Sequence, residues 1–505
     1  MKIRNLEQVL HQILIEIHEK EAYFDQLIQP IHRDYKLSAK NLLRYLVLRS
    51  HDLRKYHGDL SDLGVSSIRS AEGYVYSNLY NVVKNLNLIQ GKPFQIADTI
   101  EIIGYTKSMK LLRKHANALF NKSREANFTE IMVTLPTEAA HDKELLRDMA
   151  RNGMEIARIN LSHDNTLIWK KMVDNIREVS AESGQRIKIY MDLSGPKLRT
   201  ADVELFSKKG KRKNFIPLLV GDHLILTKRE TLGKRCIYSN DNRVLEHAEI
   251  GVLLPEVIDD ARIGDAIYFD DGMIRSRVID KNETDLELLI TECFKTRLGA
   301  HKGINLPQTK LNLPALTPKD VELLPFVCEH ADLLGYSFVR TAKDVAYLYR
   351  ELDKLHATNI GVVLKIENKE AFDNLPSILL KGMERPKLGV MIARGDLAVE
   401  LGFERISEVQ NQILWFCEAA HIPVIWATQV LENLAKSGIP TRAEITDAAQ
   451  AVQAECVMLN KGPYINDAIK LLKDILTRMK GHVFKKKNEL RALNVAKAFI
   501  RRIKG

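Results

Sequence analysis

Eight short β-rich runs, each followed by a helical stretch, alternate between residues 131 and 460 of this 505-residue chain. This alternation indicates an α/β fold with a parallel sheet, and the count of eight favours a closed (β/α)8 barrel over the open sheet that the periodicity also permits. Polar residues end nearly every run, where such barrels place their active sites. The runs span residues 131–135, 156–162, 187–193, 333–339, 361–367, 388–394, 423–429 and 456–460.

The regular spacing of these runs breaks once, because residues 201–300 are too many for a strand-to-helix connection. Short alternating segments with Gly and Asp turns predict a small antiparallel β domain there, a β-barrel that acts as a lid over the active-site end. Apolar residues at helical spacing, such as Leu6, Leu10 and Leu14, predict a helical N-terminal domain. The predicted divisions are residues 1–125 (helical domain), 126–200 and 301–478 (barrel), 201–300 (inserted lid) and 479–505 (basic tail).

Lysine and arginine number 75 against 65 acidic residues, and the net charge of +10 suits phosphorylated metabolites or nucleic acid as partners. The tail is expected to be a solvated basic helix. With only Phe484 and Phe499 as aromatic residues, it offers a poor base-stacking surface, so nucleic-acid binding ranks last. The sequence has no apolar run near the ~18 residues of a membrane span and no secretory signal. We therefore expect a cytoplasmic protein whose five widely spaced cysteines stay reduced.

Charged residues cluster where the predicted strands end. Lys365 and Glu367 are two apart and therefore share one side of a strand, and Asp396 follows the next strand. A Glu and an Asp on neighbouring strand ends could hold one Mg²⁺, with water and a substrate phosphate as further ligands. Phosphoryl transfer requires this mixture of metal, cations and hydroxyl groups. The other residues at these ends are Arg158, Asn160, Ser162, His163, Asp192, Lys197, Arg199 and Thr428.

Each of these residues also has a purely structural explanation. Lys365 and Glu367 could form a plain salt bridge, Asp396 could cap the following helix, and Arg158 could pair with Asp192. Taken together, the structural explanations require many independent polar residues to end strands of one barrel by chance. The combination therefore favours a catalytic site.

The same residues lie in motifs that resemble the pyruvate kinase family, over residues 131 to about 475. The resemblance implies a (β/α)8 barrel with a β domain inserted after the third strand. It also implies transfer of phosphate from phosphoenolpyruvate to ADP, giving pyruvate and ATP, with Mg²⁺ or Mn²⁺ as cofactor. The motifs, in the family's order, are ARINLSH, DLSGPKLRT, DDGMI, KGINLP, LPALTPKD, LKIEN, MIARGDLAVE, WATQVLE and PTRAEITDAA.

The resemblance assigns roles by motif. Glu367 and Asp396 match the divalent-metal ligands, and Lys365 matches the lysine that stabilises the transferring phosphoryl group and the enolate. Thr428 matches the threonine that helps to deliver the enolate's proton. The substrate-binding positions are Arg158, which clamps the phosphate, and Gly395 with Asp396, which receive the carboxylate at a helix N-terminus, together with Lys365 and Thr428. The nucleotide-binding positions are Asn160, His163, Arg199 and Lys302, and the family's potassium site matches Asn160, Ser162 and Asp192.

The chain departs from the family pattern in several places. Lys197 stands where many members have Glu and require potassium, and its ammonium can supply the missing monovalent charge, so we expect potassium-independent turnover. Changes in the segments VTLPTEA and KGPYIND, and at Leu193 and Tyr336, leave the nucleotide preference open. The first 125 residues are unlike those of most members. Because the chain stops near the end of the barrel, regulation through the family's C-terminal allosteric domain is not expected.

Two other functions remain open at this point. The protein could be a non-catalytic regulator in which the barrel senses phosphoenolpyruvate and the helical domain binds an unknown partner. It could also be a metal-dependent lyase or decarboxylase of a pyruvate-like acid, although Arg158, Arg199 and Lys302 suit a polyphosphate better. A homo-oligomer is compatible with each of these functions.

Overall fold

The computed structural model describes residues 2–94, 101–121, 129–206, 212–239, 241, 244–480, 482–484 and 487–488. Within these ranges, every helix is too short or too polar to span a bilayer. The helices are α1 Lys2–Leu27, α2 Lys36–Arg49, α3 His57–Asp62, α4 Val75–Ile89, α5 Tyr105–Leu119, α6 Lys143–Asn152, α7 Thr166–Ser183, α8 Glu256–Asp260, α9 Pro318–His330, α10 Ala342–Lys354, α11 Lys369–Asp373, α12 Leu375–Gly382, α13 Arg394–Leu401, α14 Ile406–Ala419, α15 Glu432–Ser437, α16 Arg442–Gln450 and α17 Ile465–Met479.

The strands fall into a barrel group, an inserted group and a C-terminal pair. They are β1 Glu130–Thr134, β2 Ile156–Asn160, β3 Lys188–Asp192, β4 Leu205–Phe206, β5 Arg212–Lys213, β6 Phe215–Pro217, β7 His223–Thr227, β8 Ile237–Tyr238, β9 Val244–Glu246, β10 Ala248–Gly251, β11 Ala266–Phe269, β12 Ile274–Lys281, β13 Asp285–Cys293, β14 Arg297–Gly299, β15 Ile304–Asn305, β16 Leu333–Tyr336, β17 Gly361–Ile366, β18 Leu388–Ala393, β19 Val424–Ala427, β20 Cys456–Leu459, β21 Val483–Phe484 and β22 Lys487–Asn488.

Eight parallel strands close into a barrel in the order β1-β2-β3-β16-β17-β18-β19-β20. Each of the eight predicted runs overlaps one of these strands, so the predicted (β/α)8 barrel is confirmed. Nearly all of their residues are buried, as expected for strands enclosed by helices on one side and by the packed interior on the other. The pairing of β3 with β16 places Asp192 beside Gly335 and joins chain segments on either side of the insertion.

The insertion has a hydrophobic core of its own, built from residues between Val203 and Leu306. Its main sheet has six strands in the order β10-β7-β13-β12-β11-β15. Strands β7 and β10 pair in parallel and the other neighbours in this sheet pair antiparallel. Residues 199 and 200 join the two outer strands of this sheet, because Thr200 bridges Val252 just after β10 and Arg199 bridges Gly303 just before β15, both antiparallel. The predicted small β-barrel agrees with this closure of the sheet.

The N-terminal helices pack directly against the barrel. Buried residues of α1, α2 and α4 belong to the same hydrophobic cluster as the helices and strands of the barrel. Hydrogen bonds cross the contact: Asn41 Nδ2 donates to the carbonyl of Ala419 (2.8 Å), and the backbone N–H of His32 donates to the carbonyl of Met383 (3.0 Å). This helical region was predicted, and its core is continuous with that of the barrel.

Leu119, the last residue of α5, fills the N-terminal opening of the barrel. It is 1% exposed and shares a buried cluster with interior residues such as Met132 and Met391. Lys188, at the start of β3, donates from Nζ to the carbonyl of Leu119 over 2.6 Å. A Cβ placed on Gly389 would lie 2.4 Å from Leu119 Cδ2. Leu119 thus forms a plug in a space that is open only because residue 389 has no side chain.

The C-terminal tail was expected to be a solvated basic helix. Instead, β21 and β22 form a short antiparallel pair after the end of α17. The rest of that prediction falls on residues 485–486 and 489–505, which lie outside the described ranges.

Candidate active site at the C-terminal end of the barrel

A buried chain of charges crosses the C-terminal end of the barrel. Lys365 Nζ lies 3.1 Å from Asp192 Oδ2 and 3.0 Å from Glu367 Oε1. Arg158 contacts the same Asp192 oxygen over 2.6 Å and donates to Thr134 Oγ1 over 2.9 Å. Both ion pairs that the sequence left as structural explanations are therefore formed. They join into one network in which a single carboxylate holds two cations.

A glycine makes room for this network. Gly335 lies on β16, between β3 and β17, and a Cβ on it would be 2.0 Å from Tyr190 Oη and 2.3 Å from Asp192 Oδ1. Tyr190 uses that space to donate its hydroxyl to Asp192 Oδ1 over 3.1 Å. Any larger side chain at residue 335 would displace the tyrosine or the carboxylate.

The network fixes the charge of its members. Burial alone would raise the pKa of Asp192, but Lys365 and Arg158 outweigh it and hold that pKa well below its usual range. Burial alone would lower the pKa of Lys365, but Asp192 and Glu367 outweigh it and raise that pKa. Lys365 is only 6% exposed. The site therefore presents a permanently charged ammonium away from bulk water.

Two carboxylates beside this ammonium suit a divalent cation. Burial, and then the charge of Glu367, raise the pKa of Asp396 to about 6. Glu367 is 3% exposed, and its Oε2 accepts the backbone N–H of Phe338 over 2.8 Å. A buried pair of repelling oxygen donors gains stability from a hard cation between them, so the residues present fit Mg²⁺ or Mn²⁺.

Lys197 interacts electrostatically with the same two carboxylates, Glu367 and Asp396. Burial, and then the positive charge of Lys365, lower the pKa of Lys197, while Glu367 and Asp396 oppose that shift. The ammonium thus lies within electrostatic reach of the candidate metal ligands. It is not hydrogen-bonded to the residues that match the potassium site.

Thr428 is held in an unusual backbone conformation at the end of β19. Its φ is 64°, in the left-handed region that β-branched residues avoid. Its Oγ1 accepts the backbone N–H of Gly395 over 2.9 Å, and Arg394 donates to the carbonyls of Ala427 and Thr428. These contacts tie the threonine to the first turn of α13, as expected for a substrate pocket shared by Thr428, Gly395 and Asp396. Asp396 lies within α13 and does not provide its N-terminal cap, which is Ala393.

A cavity of about 600 Å³ lies between the barrel and the inserted domain. Lys197, Arg199, Lys302, Glu367 and Asp396 all line it. Residues of the barrel and of the inserted domain thus line one cavity together with the two candidate metal ligands.

The four predicted nucleotide contacts are divided between two cavities. Arg199 and Lys302 line the large one, where Arg199 donates to the carbonyl of His301 over 2.8 Å. Asn160 and His163 line a second cavity of about 250 Å³ together with Arg158. Burial, and then Lys461, Lys197 and Arg199, lower the pKa of His163. Lys197 and Arg199, which line the large cavity, are thus close enough to affect the charge of His163 in the second cavity.

The residues that match the potassium site have protein partners. The Oδ1 of Asn160 accepts the backbone N–H of Ser162 over 3.1 Å, and the hydroxyl of Ser162 contacts that of Ser194 over 3.2 Å. Asp192 is the anion shared by Arg158 and Lys365. Each oxygen of Asp192 already has a positively charged or hydroxyl partner.

Sequence reasoning missed several polar residues at this end. Ser337 is 1% exposed, accepts from Lys365 Nζ at 2.7 Å and donates to the carbonyl of Leu193 at 2.6 Å. Asp270 lies 3.1 Å from Lys302 Nζ. Burial raises the pKa of Glu400, which accepts from Asn305, to about 7. The position of Ser337 directly after strand β16 was the signal that could have found it, whereas Glu400 lies near the end of α13, away from the strand ends.

Comparison with known proteins places this site in a family. Residues 126–468 match the barrel domain of pyruvate kinase. The chain belongs to the pyruvate kinase family. A pyruvate kinase from Bacillus licheniformis is 32% identical over 357 residues, 69% of this chain and 57% of that protein. A pyruvate kinase from Thermococcus litoralis is 33% identical over 354 residues, 69% of this chain and 68% of that protein.

A solved structure gives the same assignment. The crystal structure of a pyruvate kinase from Cryptosporidium parvum superposes with a TM-score of 0.60 and 28% identity, over 70% of this chain and 69% of that one. The resemblance found in the motifs is thereby confirmed, and the member is a divergent one. The chain spans little more than half the length of the bacterial pyruvate kinase that it resembles.

Proposed function

We propose that this protein transfers the phosphoryl group of phosphoenolpyruvate to ADP, giving pyruvate and ATP, in a reaction that requires Mg²⁺. The observation that carries the proposal is the buried ammonium of Lys365, held between Asp192, Ser337 and Glu367. A fixed cation in a site with little water stabilises charge as it moves from the enolate oxygen to the transferring phosphoryl group.

The other residues of the site would hold the substrate and the metal ion. Arg158 contacts the same carboxylate as Lys365 and can hold the phosphate of phosphoenolpyruvate beside it. Glu367 and Asp396 would hold the divalent ion, which supplies Lewis-acid stabilisation of the phosphoryl and carboxylate oxygens. Gly395 lies in the first turn of α13, which would receive the substrate carboxylate next to that ion.

Thr428 is placed to assist protonation of the enolate. Its oxygen is already the acceptor for Gly395 N–H, so its own hydroxyl proton is free to point toward the substrate. Pyruvate forms when the methylene carbon of the enolate gains a proton, which Thr428 would relay from solvent while the electron pair of the enolate forms the new C–H bond. The hydrogen bond from Gly395 N–H holds this oxygen in place.

The nucleotide would extend from the large cavity toward the smaller one. Arg199 and Lys302 from the insertion side, and Asn160 and His163 from the barrel side, present donors to an ADP polyphosphate. A lyase or decarboxylase has no polyphosphate to bind, so this set of residues favours the kinase.

We further propose that the reaction needs no potassium, because Lys197 brings a fixed positive charge to the metal carboxylates. The proposed site of action is the cytoplasm.

The test is pyruvate formation from phosphoenolpyruvate and ADP, with and without Mg²⁺, in the wild type and in Lys365→Met. We expect turnover that depends on Mg²⁺ and falls by at least about 10³-fold in the variant, as for loss of a main electrostatic stabiliser. Lys354→Met, which removes an exposed lysine paired with Glu351 on α10, is the matched control and should keep full activity.

Two results would overturn the proposal. Binding of phosphoenolpyruvate without turnover, with every nucleoside diphosphate offered, would indicate the sensor function. Release of CO₂ or cleavage of a C–C bond in a pyruvate-like acid, lost in Glu367→Gln, would indicate the lyase or decarboxylase.

A further inference from the structure

Two histidines and a glutamate meet on the outer face of the inserted sheet. His223 begins β7, His247 immediately precedes β10, and Glu287 lies on β13, and these three strands are neighbours. Because Ala248 pairs with Leu224, His247 lies beside His223. The antiparallel pairing of β13 with β7 puts Glu287 on the same face as His223. We call this group the His-His-Glu cluster.

The ligand atoms of the His-His-Glu cluster converge. His223 Nδ1 lies 2.6 Å from Glu287 Oε1, and His247 Nε2 lies 3.9 Å from the same oxygen. One nitrogen or oxygen from each of the three residues falls within 4.8 Å of the others. A tetrahedral zinc ion with bonds of about 2.1 Å needs ligand atoms about 3.4 Å apart, and the observed separations bracket that value.

The cluster also contains an unsatisfied nitrogen. His247 Nδ1 is buried and has no hydrogen-bond partner among the described residues. The two imidazole rings are stacked, with centroids 4.8 Å apart and an interplanar angle of 15°. Side chains that are 34%, 38% and 29% exposed leave one side of the cluster open to water. The open side leaves room for water to complete the coordination of a metal ion that is bound through His223 Nδ1, His247 Nε2 and Glu287 Oε1.

We infer that the inserted domain binds one Zn²⁺ through His223, His247 and Glu287. Two imidazole nitrogens and one carboxylate are a donor set typical of zinc, and imidazole is a poor ligand for Mg²⁺. The site is separate from the candidate active site, because none of the three residues lines the cavity at the barrel mouth. A bound ion would link β7, β10 and β13 and so stabilise the inserted domain against unfolding.

The test is Zn²⁺ titration of the full chain, stripped with a chelator and held in excess Mg²⁺ so that the active-site carboxylates are occupied. We expect one Zn²⁺ per chain by calorimetry. His223→Gln and His247→Gln should each weaken that binding by at least about tenfold, since loss of even a supporting residue costs that much. His11→Gln is the matched control, because His11 also lies beside a glutamate, Glu7, but among the described residues it belongs to no group of three metal-ligating side chains.

Two further measurements test whether zinc binds at the His-His-Glu cluster and not elsewhere on the protein. Co²⁺ in place of Zn²⁺ should give the visible absorption of a tetrahedral site, and both variants should lose it. Zn²⁺ should raise the thermal midpoint of the wild type and of His11→Gln but not of the two cluster variants, whose metal-free circular dichroism should match the wild type. Zn²⁺ binding that is equally tight in His223→Gln and His247→Gln, or no binding in the wild type, would overturn the inference.

Discussion

Lys365 Nζ on β17 lies 3.1 Å from Asp192 Oδ2 on β3, although another strand, β16, runs between them. The two side chains meet above Gly335, which has no side chain to separate them. Asp192 also holds Arg158 over 2.6 Å, so one buried anion balances two buried cations. The charge needed for catalysis and the stability of the barrel therefore depend on the same carboxylate.

Asp192→Asn should destabilise the barrel strongly. The change leaves Arg158 and Lys365 buried without their shared anion, and breaking a buried pair in this way costs about 3–5 kcal/mol. Denaturant unfolding followed by tryptophan fluorescence measures the loss. Asp174→Asn, at an exposed pair with Lys170 on α7, is the control and should change the free energy of unfolding by less than about 0.5 kcal/mol. Equal effects in the two variants would contradict the argument.

The plug formed by Leu119 gives a second prediction. Leu119→Ala should cost about 2–5 kcal/mol, because a fully buried leucine leaves a cavity at the base of the barrel. Gly389→Ala should cost about 1–3 kcal/mol, because its new methyl group would overlap Leu119. The double variant should be more stable than the sum of the two losses implies, since the methyl group then enters the space that the leucine vacates.

The measurement for this pair is a double-mutant cycle of unfolding free energies. Leu88→Ala, at a residue of α4 that is 58% exposed, serves as the control for a leucine truncation. Strict additivity of Leu119→Ala and Gly389→Ala would show that the two residues do not share one space.

The sequence predicted the barrel and most of its mouth because both follow from local patterns. Apolar runs such as Gly361–Ile366 reveal buried strands, and a polar residue directly after a strand, such as Glu367, must lie at the barrel's end. The contact between Asp192 and Lys365 could not be predicted from local patterns, since it depends on strand register and on the absent side chain of Gly335.

Other features of the structure could not be predicted from the sequence for the same reason. The contact of the N-terminal helices with the barrel depends on long-range partners, such as Asn41 with Ala419, that no local period encodes. His223, His247 and Glu287 are scattered along the sequence and meet only through the parallel pairing of β7 with β10 and the antiparallel pairing with β13.

Two acids near the plug predict a pH dependence of stability. Burial raises the pKa of Glu130 to about 7, and burial followed by the charge of Glu130 raises the pKa of Glu155 to about 8. Their ordinary value is 4.5, so between pH 4.5 and about 8 the folded state holds more protons than the unfolded state. Stability from these two groups is therefore lost as the pH rises through that window.

Glu155→Gln should remove part of this dependence, because it keeps an acceptor for the N–H of Ile131 but cannot ionise. Relative to the wild type, the variant should gain stability at pH 9 and change little at pH 4.5, as measured by thermal midpoints across that range. Glu178→Gln on the exposed face of α7 is the control and should show no such trend. A Glu155→Gln curve parallel to that of the wild type would contradict the prediction.

The position of Lys197 yields a prediction about monovalent ions. Its ammonium interacts electrostatically with Glu367 and Asp396, and both oxygens of Asp192 already have protein partners, so under the proposed function we expect turnover without potassium. Turnover should differ by less than about twofold between potassium and sodium buffers, since both only screen charges at the surface.

Lys197→Glu places a third carboxylate beside the candidate metal ligands and should make turnover depend on potassium. The rate in sodium should be at least about tenfold lower, which corresponds to about 1.4 kcal/mol. Lys310→Glu, which changes the charge of another residue lining the same cavity, separates this effect from a general change in potential. A rate that stays the same in both salts for Lys197→Glu would show that the lysine does not replace the monovalent ion.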